Sequence, residues 1–372
     1  MGLGVQPAGL GTRQAELNVW SVEVTVPSGR TVALGDDYRG HPSRACMIMN
    51  LCPRLDCRTV RVLVTGGYGH VGSHTLPELR RRGHEVRVLS PRFPAARRAA
   101  RRFGVPTVWG DVTDRAAVDR AVTGVDVVIH LAAILPPAAD ADPGRARAVN
   151  VDGTATVIAA CEAQPTPPRL LFTSSFNVHG YTMDRPPPVR ADDPLVPTNP
   201  YAEHKIEAEA LVRASRLEWC IVRLADVPIL GLRRPPRIMF DNNPNGRIEA
   251  LDPRDAGFAL ARAVETPEVW GRVLLLGGGP SCQVTYREYI SQMLAAMGIE
   301  PLPDEAFSTE TRYPTDWLDT AESQALLQYQ RHSLDDIVRE VAARAGWRRT
   351  VARAAAPLIR AALLRWSPDR RR

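Results

Sequence analysis

Lysine is all but missing from this chain. Lys205 is the single one among 372 residues, and every other fixed positive side chain is arginine. Long apolar runs are missing too. None reaches the ~18 residues that a bilayer-spanning helix needs, and no signal-peptide pattern opens the sequence. The six cysteines carry no useful pattern: Cys46, Cys52 and Cys57 lie near the front, while Cys161, Cys220 and Cys282 stand far apart. Those spacings fit neither a metal site nor a small disulfide scaffold. A reduced, cytoplasmic setting without a bound metal is the expectation. Basic stripes with interleaved aromatics are absent as well, and a formal charge of +6 is modest for this length. Nucleic acid is therefore not expected as a partner.

What is present changes character near residue 59. In residues 1–58, VWSVEVTV and RTVAL alternate apolar and polar residues around Pro27-Ser28-Gly29, which predicts a hairpin. The rest of that segment has no period and is expected to be a poorly ordered extension. From Val60 onward, VRVLVT, EVRVLS, PTVWG, VDVVIHLAA and RLLFTSS are short aliphatic runs separated by helix-length segments such as HTLPELRRRG and PGRARAVNVDGTATVIAACEA. That rhythm predicts an α/β protein with a doubly wound parallel sheet covered on both faces. The expected division is a dinucleotide-binding domain over 59–280, a mostly helical substrate lobe over 281–345, and a tail over 346–372. Part of the lobe is expected to be inserted near 226–252. The tail places Val351, Ala355, Leu358, Ile359, Ala362, Leu363 and Trp366 at helical spacing among arginines. Three roles are open for that stripe: packing on the domain, a homodimer contact, or peripheral contact with an anionic membrane.

The first strand of the sheet runs into Gly66, Gly69 and Gly72, and a predicted helix follows. In that context the glycines permit a tight turn, close approach of a pyrophosphate, and tight helix–strand packing at a helix N-terminus. The next strand ends Leu89-Ser90-Pro91-Arg92. A carboxylate there would bind the adenosine ribose hydroxyls and select NAD, whereas a nearby arginine accommodates the NADP phosphate. Ser90 is no carboxylate and Arg92 follows, so NADP is favoured over NAD.

The lone lysine sits in NPYAEHKIEAEA, four residues after Tyr201. Asn199 suits a helix N-cap and Pro200 a first helical residue, so Tyr201 and Lys205 are expected on one helix face. A phenol with a pKa near ~10 is a poor base at neutral pH. An adjacent ammonium together with an oxidised nicotinamide favours its anion. An arginine fork suits a carboxylate better than a ribose diol and a phenol together. On this argument lysine persists at 205 because chemistry requires it.

With TGGYGHVG (65–72), DVTD (111–114), HLAA (130–133), NVDGT (150–154), FTSSFNVHG (172–180), PYAEHK (200–205) and the segment around Asp255 in this order, the chain resembles the extended short-chain dehydrogenase/reductase family, also called the NAD-dependent epimerase/dehydratase family. The resemblance covers about residues 60–345 and implies a Rossmann domain with a small C-terminal substrate lobe. It implies that Gly66, Gly69, His70, Val71, Gly72, Ser90 and Arg92 lie along the cofactor. Asp111 and Val112 would meet the adenine, and Leu131, Ala132, Ala133, Asn150 and Thr173 would flank the nicotinamide half. Ser175 would hydrogen-bond the substrate oxygen, Tyr201 would be the acid/base, and Lys205 would hold the ribose and tune the tyrosine. Asn177 and Asp226 are the implied substrate contacts.

Several of these positions also have plain structural roles: Asp111 as a turn residue, Asp255 as the start of a helix, His130 as packing, and His179 as a wall of the pocket. Ser175 is followed by Phe176 and Asn177 rather than by acids, which disfavours dehydration. Asp226 stands where sugar-nucleotide epimerases usually carry Asn, and a carboxylate there repels a diphosphate. The expected activity is NAD(P)-linked interconversion of a carbonyl and a secondary alcohol on a small-molecule substrate. A sugar epimerase with tightly bound cofactor is the alternative, and a non-catalytic NAD(P)-sensing protein is the third.

Overall fold

The computed structural model describes residues 23–25, 31–33, 59–231, 237–309, 313–365 and 367. The chain divides into two units, residues 1–58 and 59–372. In the first, β1 (Glu23–Thr25) and β2 (Thr31–Ala33) pair antiparallel, with Thr25 opposite Thr31, which is the expected hairpin. The expectation of poor order for the remainder of 1–58 falls outside the described residues.

The second unit is built on a seven-stranded parallel sheet. Its strands are β3 (Arg61–Thr65), β4 (Glu85–Ser90), β5 (Thr107–Trp109), β6 (Val127–His130), β7 (Arg169–Ser175), β8 (Trp219–Leu224) and, after the short β9 (Arg247–Glu249), β10 (Val273–Leu276). The spatial order is β10-β8-β7-β6-β3-β4-β5. Chain direction reverses its lateral progress between β3 and β6, and that is where a doubly wound sheet opens a crevice at its strand ends. Thr65 lies opposite His130 across this switch point.

Both faces of the central strands are buried, while the edge strand β5 is half-buried. Val62 and Val64 point into one core with Leu76, Ile129 and Leu260, while Leu63 points into the other with Val118, Val157 and Phe172. Successive side chains of a strand alternate faces, so a continuous aliphatic run is what a two-sided sheet demands. The covering helices include α1 (Gly72–Arg81), α2 (Pro94–Phe103), α3 (Arg115–Val122), α4 (Ala138–Ala141), α5 (Pro143–Arg147), α6 (Gly153–Glu162), α7 (Pro200–Ala214) and α8 (Pro253–Glu265). The segment expected as one helix between β6 and β7 is interrupted: a π-helical turn, Ala148–Asp152, separates α5 from α6. Such turns insert an extra residue and re-aim side chains.

A third core forms the lobe. It gathers Leu230, Met239, Phe240 and Ile248 from the insertion with residues of α9 (Tyr286–Ala296) and α11 (Leu334–Ala345). The short α10 (Ala321–Leu327) lies between these two helices in sequence. An antiparallel pairing of β9 with β11 (Gln283–Thr285) ties the two stretches together. The core runs on into the tail, where α12 (Trp347–Ala354) and α13 (Ala356–Leu364) follow and Leu363 is buried in the lobe.

The helix bearing Tyr201 and Lys205 is fixed from below. Asn199 caps α7, its side chain accepting from the Ala202 N–H at 2.9 Å. One turn past Lys205, Glu209 receives a two-pronged contact from Arg223 of β8, at 2.9 and 2.7 Å, with both side chains 1% exposed. Burial pushes the Glu209 carboxyl up, but hydrogen bonding and charge from Arg223 outweigh it and hold it below the ordinary range. Removing one member of such a pair strands the other charge, at a cost of about 3–5 kcal/mol, whereas replacing both with apolar residues is far less costly. Arg223→Met should lose stability on that scale in urea denaturation, and Arg223→Met/Glu209→Met should recover most of it. Equal stability of the wild type and Arg223→Met would show that the pair does not anchor α7.

Candidate active site

The turn after β3 brings backbone against backbone. Gly66 has φ +68°, and a Cβ there would lie 2.9 Å from the Ala132 nitrogen at the end of β6. At Gly72 a Cβ would come within 2.6 Å of the Gly67 Cα, so only glycine lets α1 pack this closely on the turn. The helix begins without a side-chain cap and with no acidic residue in its first turn. Its partial positive charge therefore faces the crevice uncompensated. His70 ties the turn to the lobe side, with Nε2 3.0 Å from the Pro228 carbonyl.

A cavity of about 720 Å³ runs from this turn in two directions. Toward the β4 and β5 ends it is lined by Ser90, Pro91, Phe93, Asp111 and Val112; toward the β6 and β7 ends, by Leu131, Ala132, Ala133, Thr173, Ser175 and Asn177. Tyr201 and Lys205 form the floor, and Asp226 lies on the lobe side. Gly66, Gly69, His70, Val71 and Gly72 line it too. The structure thus brings together every residue singled out as catalytic or substrate-binding, and all the cofactor residues except two.

Those two are Arg92 and Asn150. The Arg92 guanidinium stacks 5.5 Å from the centre of the Trp109 ring, outside the lining. Asn150 sits in the π turn and acts through another residue. Its Oδ1 accepts from the Ile134 N–H at 2.7 Å and its Nδ2 donates to the Ile134 carbonyl at 3.0 Å, pinning the loop that forms the cavity wall. Asp111 lines the cavity, yet its Oδ1 is engaged in its own turn with Thr113.

Tyr201 is buried and hydrogen-bonds Ser175. The Lys205 Nζ lies 6.0 Å from the Tyr201 ring centre on the same helix face and donates to the Thr173 carbonyl at 2.8 Å. Burial brings the Lys205 ammonium down to about 8, with Glu209 opposing the fall, so it remains mostly charged at pH 7. Tyr201 departs from the sequence argument. Burial, and after it the neighbouring Tyr313, push its phenol above the ordinary value, and the group that pulls it down is Ser175 rather than Lys205. Desolvation is the larger effect because an anion in a dry pocket loses its water. Tyr201 is therefore poised as a proton donor at neutral pH.

His130 and His179, buried behind the lining, are structural. His130 is enclosed between Thr65, 2.6 Å from Nδ1, and Thr154, 3.1 Å from Nε2, and burial takes it down to about 3. Thr154 spends its proton on the Asn150 carbonyl, which assigns the ring proton to Nε2. His179 is a correction. It is no wall of the pocket but lies fully buried, with Arg223 donating to Nε2 at 3.1 Å and burial bringing it to about 4. Asp255 starts α8 and binds the backbone N–H groups of Arg331 and His332, each at 2.9 Å.

Residues that the sequence did not single out complete the site. Tyr313 reaches from the lobe to Asn177, which draws its phenol down against burial; the balance stands at about 12. Tyr289 donates to Asp226 at 3.0 Å. Around them Met239, Ile248, Tyr286, Ile290, Met293, Leu294 and Met297 give the lobe side a large apolar share, with Asn242, Glu249, Thr315 and Asp316 as its polar lining. Buried Glu249 accepts from Gly279, Gln283 and Leu318, and burial raises it to about 7. A signal for Glu209 did exist: Tyr201, Lys205 and Glu209 repeat every four residues on α7. The lobe tyrosines lie in stretches with no comparable pattern.

Comparison with known proteins bears on the same elements. Residues 62–230 match the model of the NAD dependent epimerase/dehydratase family. The 2-alkyl-3-oxoalkanoate reductase of Stenotrophomonas maltophilia is 30% identical over 277 residues, 68% of this chain and 80% of that protein. A UDP-glucose 4-epimerase of Bacillus subtilis is 32% identical over 224 residues, 56% of this chain and 64% of that protein. The chain thus spans somewhat less than two thirds of the length of that epimerase. Among solved structures, UDP-glucuronic acid 4-epimerase from Bacillus cereus, in complex with UDP-glucuronic acid and NAD, superposes with a TM-score of 0.65 at 21% identity, covering 76% of this chain and 98% of that one. On the family match over 62–230 and the 30% identity to a relative covered over 80% of its length, the chain belongs to the NAD-dependent epimerase/dehydratase family of extended short-chain dehydrogenases/reductases.

Proposed function

We propose that the protein is an NAD(P)-linked oxidoreductase that interconverts a ketone and a secondary alcohol, with Tyr201 moving the proton. The observation that carries this reading is the convergence of Tyr201, Ser175 and Lys205 on a cavity lined by a glycine turn too tight for a Cβ at Gly66 or Gly72. The residues fit a dinucleotide: the turn and the uncapped start of α1 suit a pyrophosphate, and Lys205 has donors left after Thr173 for ribose hydroxyls. When bound, a nicotinamide dinucleotide supplies the hydride donor or acceptor.

The chain's own residues handle the oxygen. Ser175 and Tyr201 both address a substrate oxygen placed between them. In the reducing direction the protonated phenol gives its proton to the developing alkoxide. In the oxidising direction the phenolate takes the proton from the alcohol, and Ser175, which draws the phenol down, stabilises that anion as it forms. The apolar side chains of Met239, Ile248, Ile290, Met293, Leu294 and Met297 in the lining favour a substrate with an apolar body over a nucleotide sugar, and Asp226 disfavours a diphosphate. The likeness to UDP-glucose 4-epimerase favours a second reading, in which oxidation and reduction alternate on one substrate. Net cofactor turnover separates the two, because an epimerase shows none.

Tyr201→Phe should lower kcat by about 10²–10⁴-fold, the usual worth of general acid–base catalysis, while cofactor binding survives. Because the phenol stands above its ordinary pKa, alcohol oxidation by the wild type should climb as pH rises into the alkaline range. Ketone reduction should stay flat across neutrality. A variant rate close to wild type, or oxidation fastest below pH 7, would contradict the assignment. For the cofactor, the absence of a carboxylate at Ser90 favours NADP, while Arg92, stacked over Trp109 outside the lining, adds nothing to that preference. Steady-state kinetics should give a lower KM for NADPH than for NADH, and the reverse order would reject that preference.

A further inference from the structure

The tail separates into two apolar stripes where the sequence suggested one. Ala356 and Leu363 are buried against the lobe, with Ile359 partly buried beside them. Ser367 donates to the Ala306 carbonyl at 2.7 Å, and Arg349 reaches the Ala295 carbonyl in the last turn of α9 at 3.4 Å, where a cation is favoured. These contacts hold α12 and α13 down. The opposite face points outward. Leu358 is 77% exposed, Trp347 73% and Val351 55%, and these are the three most exposed large apolar side chains among the described residues. With Ala354 and Ala361 they recur at intervals of three and four residues, forming a single line across both helices.

Large apolar side chains gathered on an exposed face mark an interaction surface, so the outer line calls for a partner. Its charge surroundings decide which. Residues 345–365 contain five arginines and no Asp or Glu, and Arg348, Arg353 and Arg365 are exposed beside the line. A second copy docking here about a two-fold axis would set the same patch against itself. The arginines would then face their own counterparts with no carboxylate in the strip to receive them. An anionic surface meets both requirements, accepting arginine at its headgroups and aliphatic and indole side chains just beneath. Among the described residues no helix is long and apolar enough to cross a membrane, so the contact is interfacial.

We propose that the outer face of α12–α13, centred on Trp347, Val351 and Leu358, docks the protein on an anionic lipid bilayer, with Arg348, Arg353 and Arg365 engaging the headgroups. This surface is independent of the catalytic reading, since none of these residues lines the cavity.

Vesicle co-sedimentation of the full chain tests it. The protein should pellet with vesicles containing phosphatidylglycerol and stay in solution with phosphatidylcholine alone. Trp347→Ser/Val351→Ser/Leu358→Ser should cut binding to the anionic vesicles by at least about tenfold, with an unchanged melting temperature because those side chains are solvent-facing. Arg348→Gln/Arg353→Gln/Arg365→Gln should weaken binding and flatten its salt dependence. Absence of binding to phosphatidylglycerol vesicles would overturn the proposal, as would undiminished binding by the triple serine variant. A dimer in solution that Leu358→Ser dissolves would instead assign the face to a second copy.

Discussion

The rotation of one helix decides what this cavity can do, and a buried ion pair sets that rotation. Glu209 and Arg223 meet in a dry layer where neither is solvated, so the pair tolerates little displacement. Because Tyr201, Lys205 and Glu209 follow one another at intervals of four along α7, locking the last of them to β8 aims the other two at the crevice. The same guanidinium reaches His179 and the Ala191 carbonyl, so the floor of the site and the segment beyond β7 share one anchor. The face of α7 that carries Tyr201 and Lys205 is thus held by electrostatics beneath it as well as by apolar packing around it.

Burial has two opposite consequences for the two groups that matter. It drives the phenol of Tyr201 toward its protonated form and the ammonium of Lys205 toward its neutral one. Glu209 counters the second effect and Ser175 the first, so the residues around the pair act as correctives to desolvation. A lysine brought to about 8 still carries its charge at neutral pH. An arginine would keep its charge more securely, but its fork would have to fit where a slim ammonium now rests against Thr173 and Phe172.

Much of this was legible beforehand, for physical reasons. A parallel sheet buried on both faces needs uninterrupted aliphatic runs, so the seven strands announce themselves. Gly66 and Gly72 are positions where a side chain would collide with backbone, so their spacing survives in the sequence as a motif. Other features left no such trace. No residue pattern marks the π turn that aims Asn150 at Ile134. His179 reads as a pocket residue until Arg223, distant in sequence, is seen to occupy its ring nitrogen. Tyr313, Tyr289 and the methionines converge from separated stretches of the lobe, two of which the β9–β11 pairing ties together. In the tail, helical spacing alone could not tell the docked stripe from the exposed one.

The account rests on the claim that position 205 needs an ammonium, not merely a positive charge, beside a phenol that shuttles the proton. Steady-state kinetics of Lys205→Arg measure this directly, since the charge is kept and only its shape and flexibility change. The expected result is a fall in kcat/KM of about 10²-fold or more with the fold intact. Activity near that of the wild type would contradict the claim and leave the sole lysine without a chemical reason.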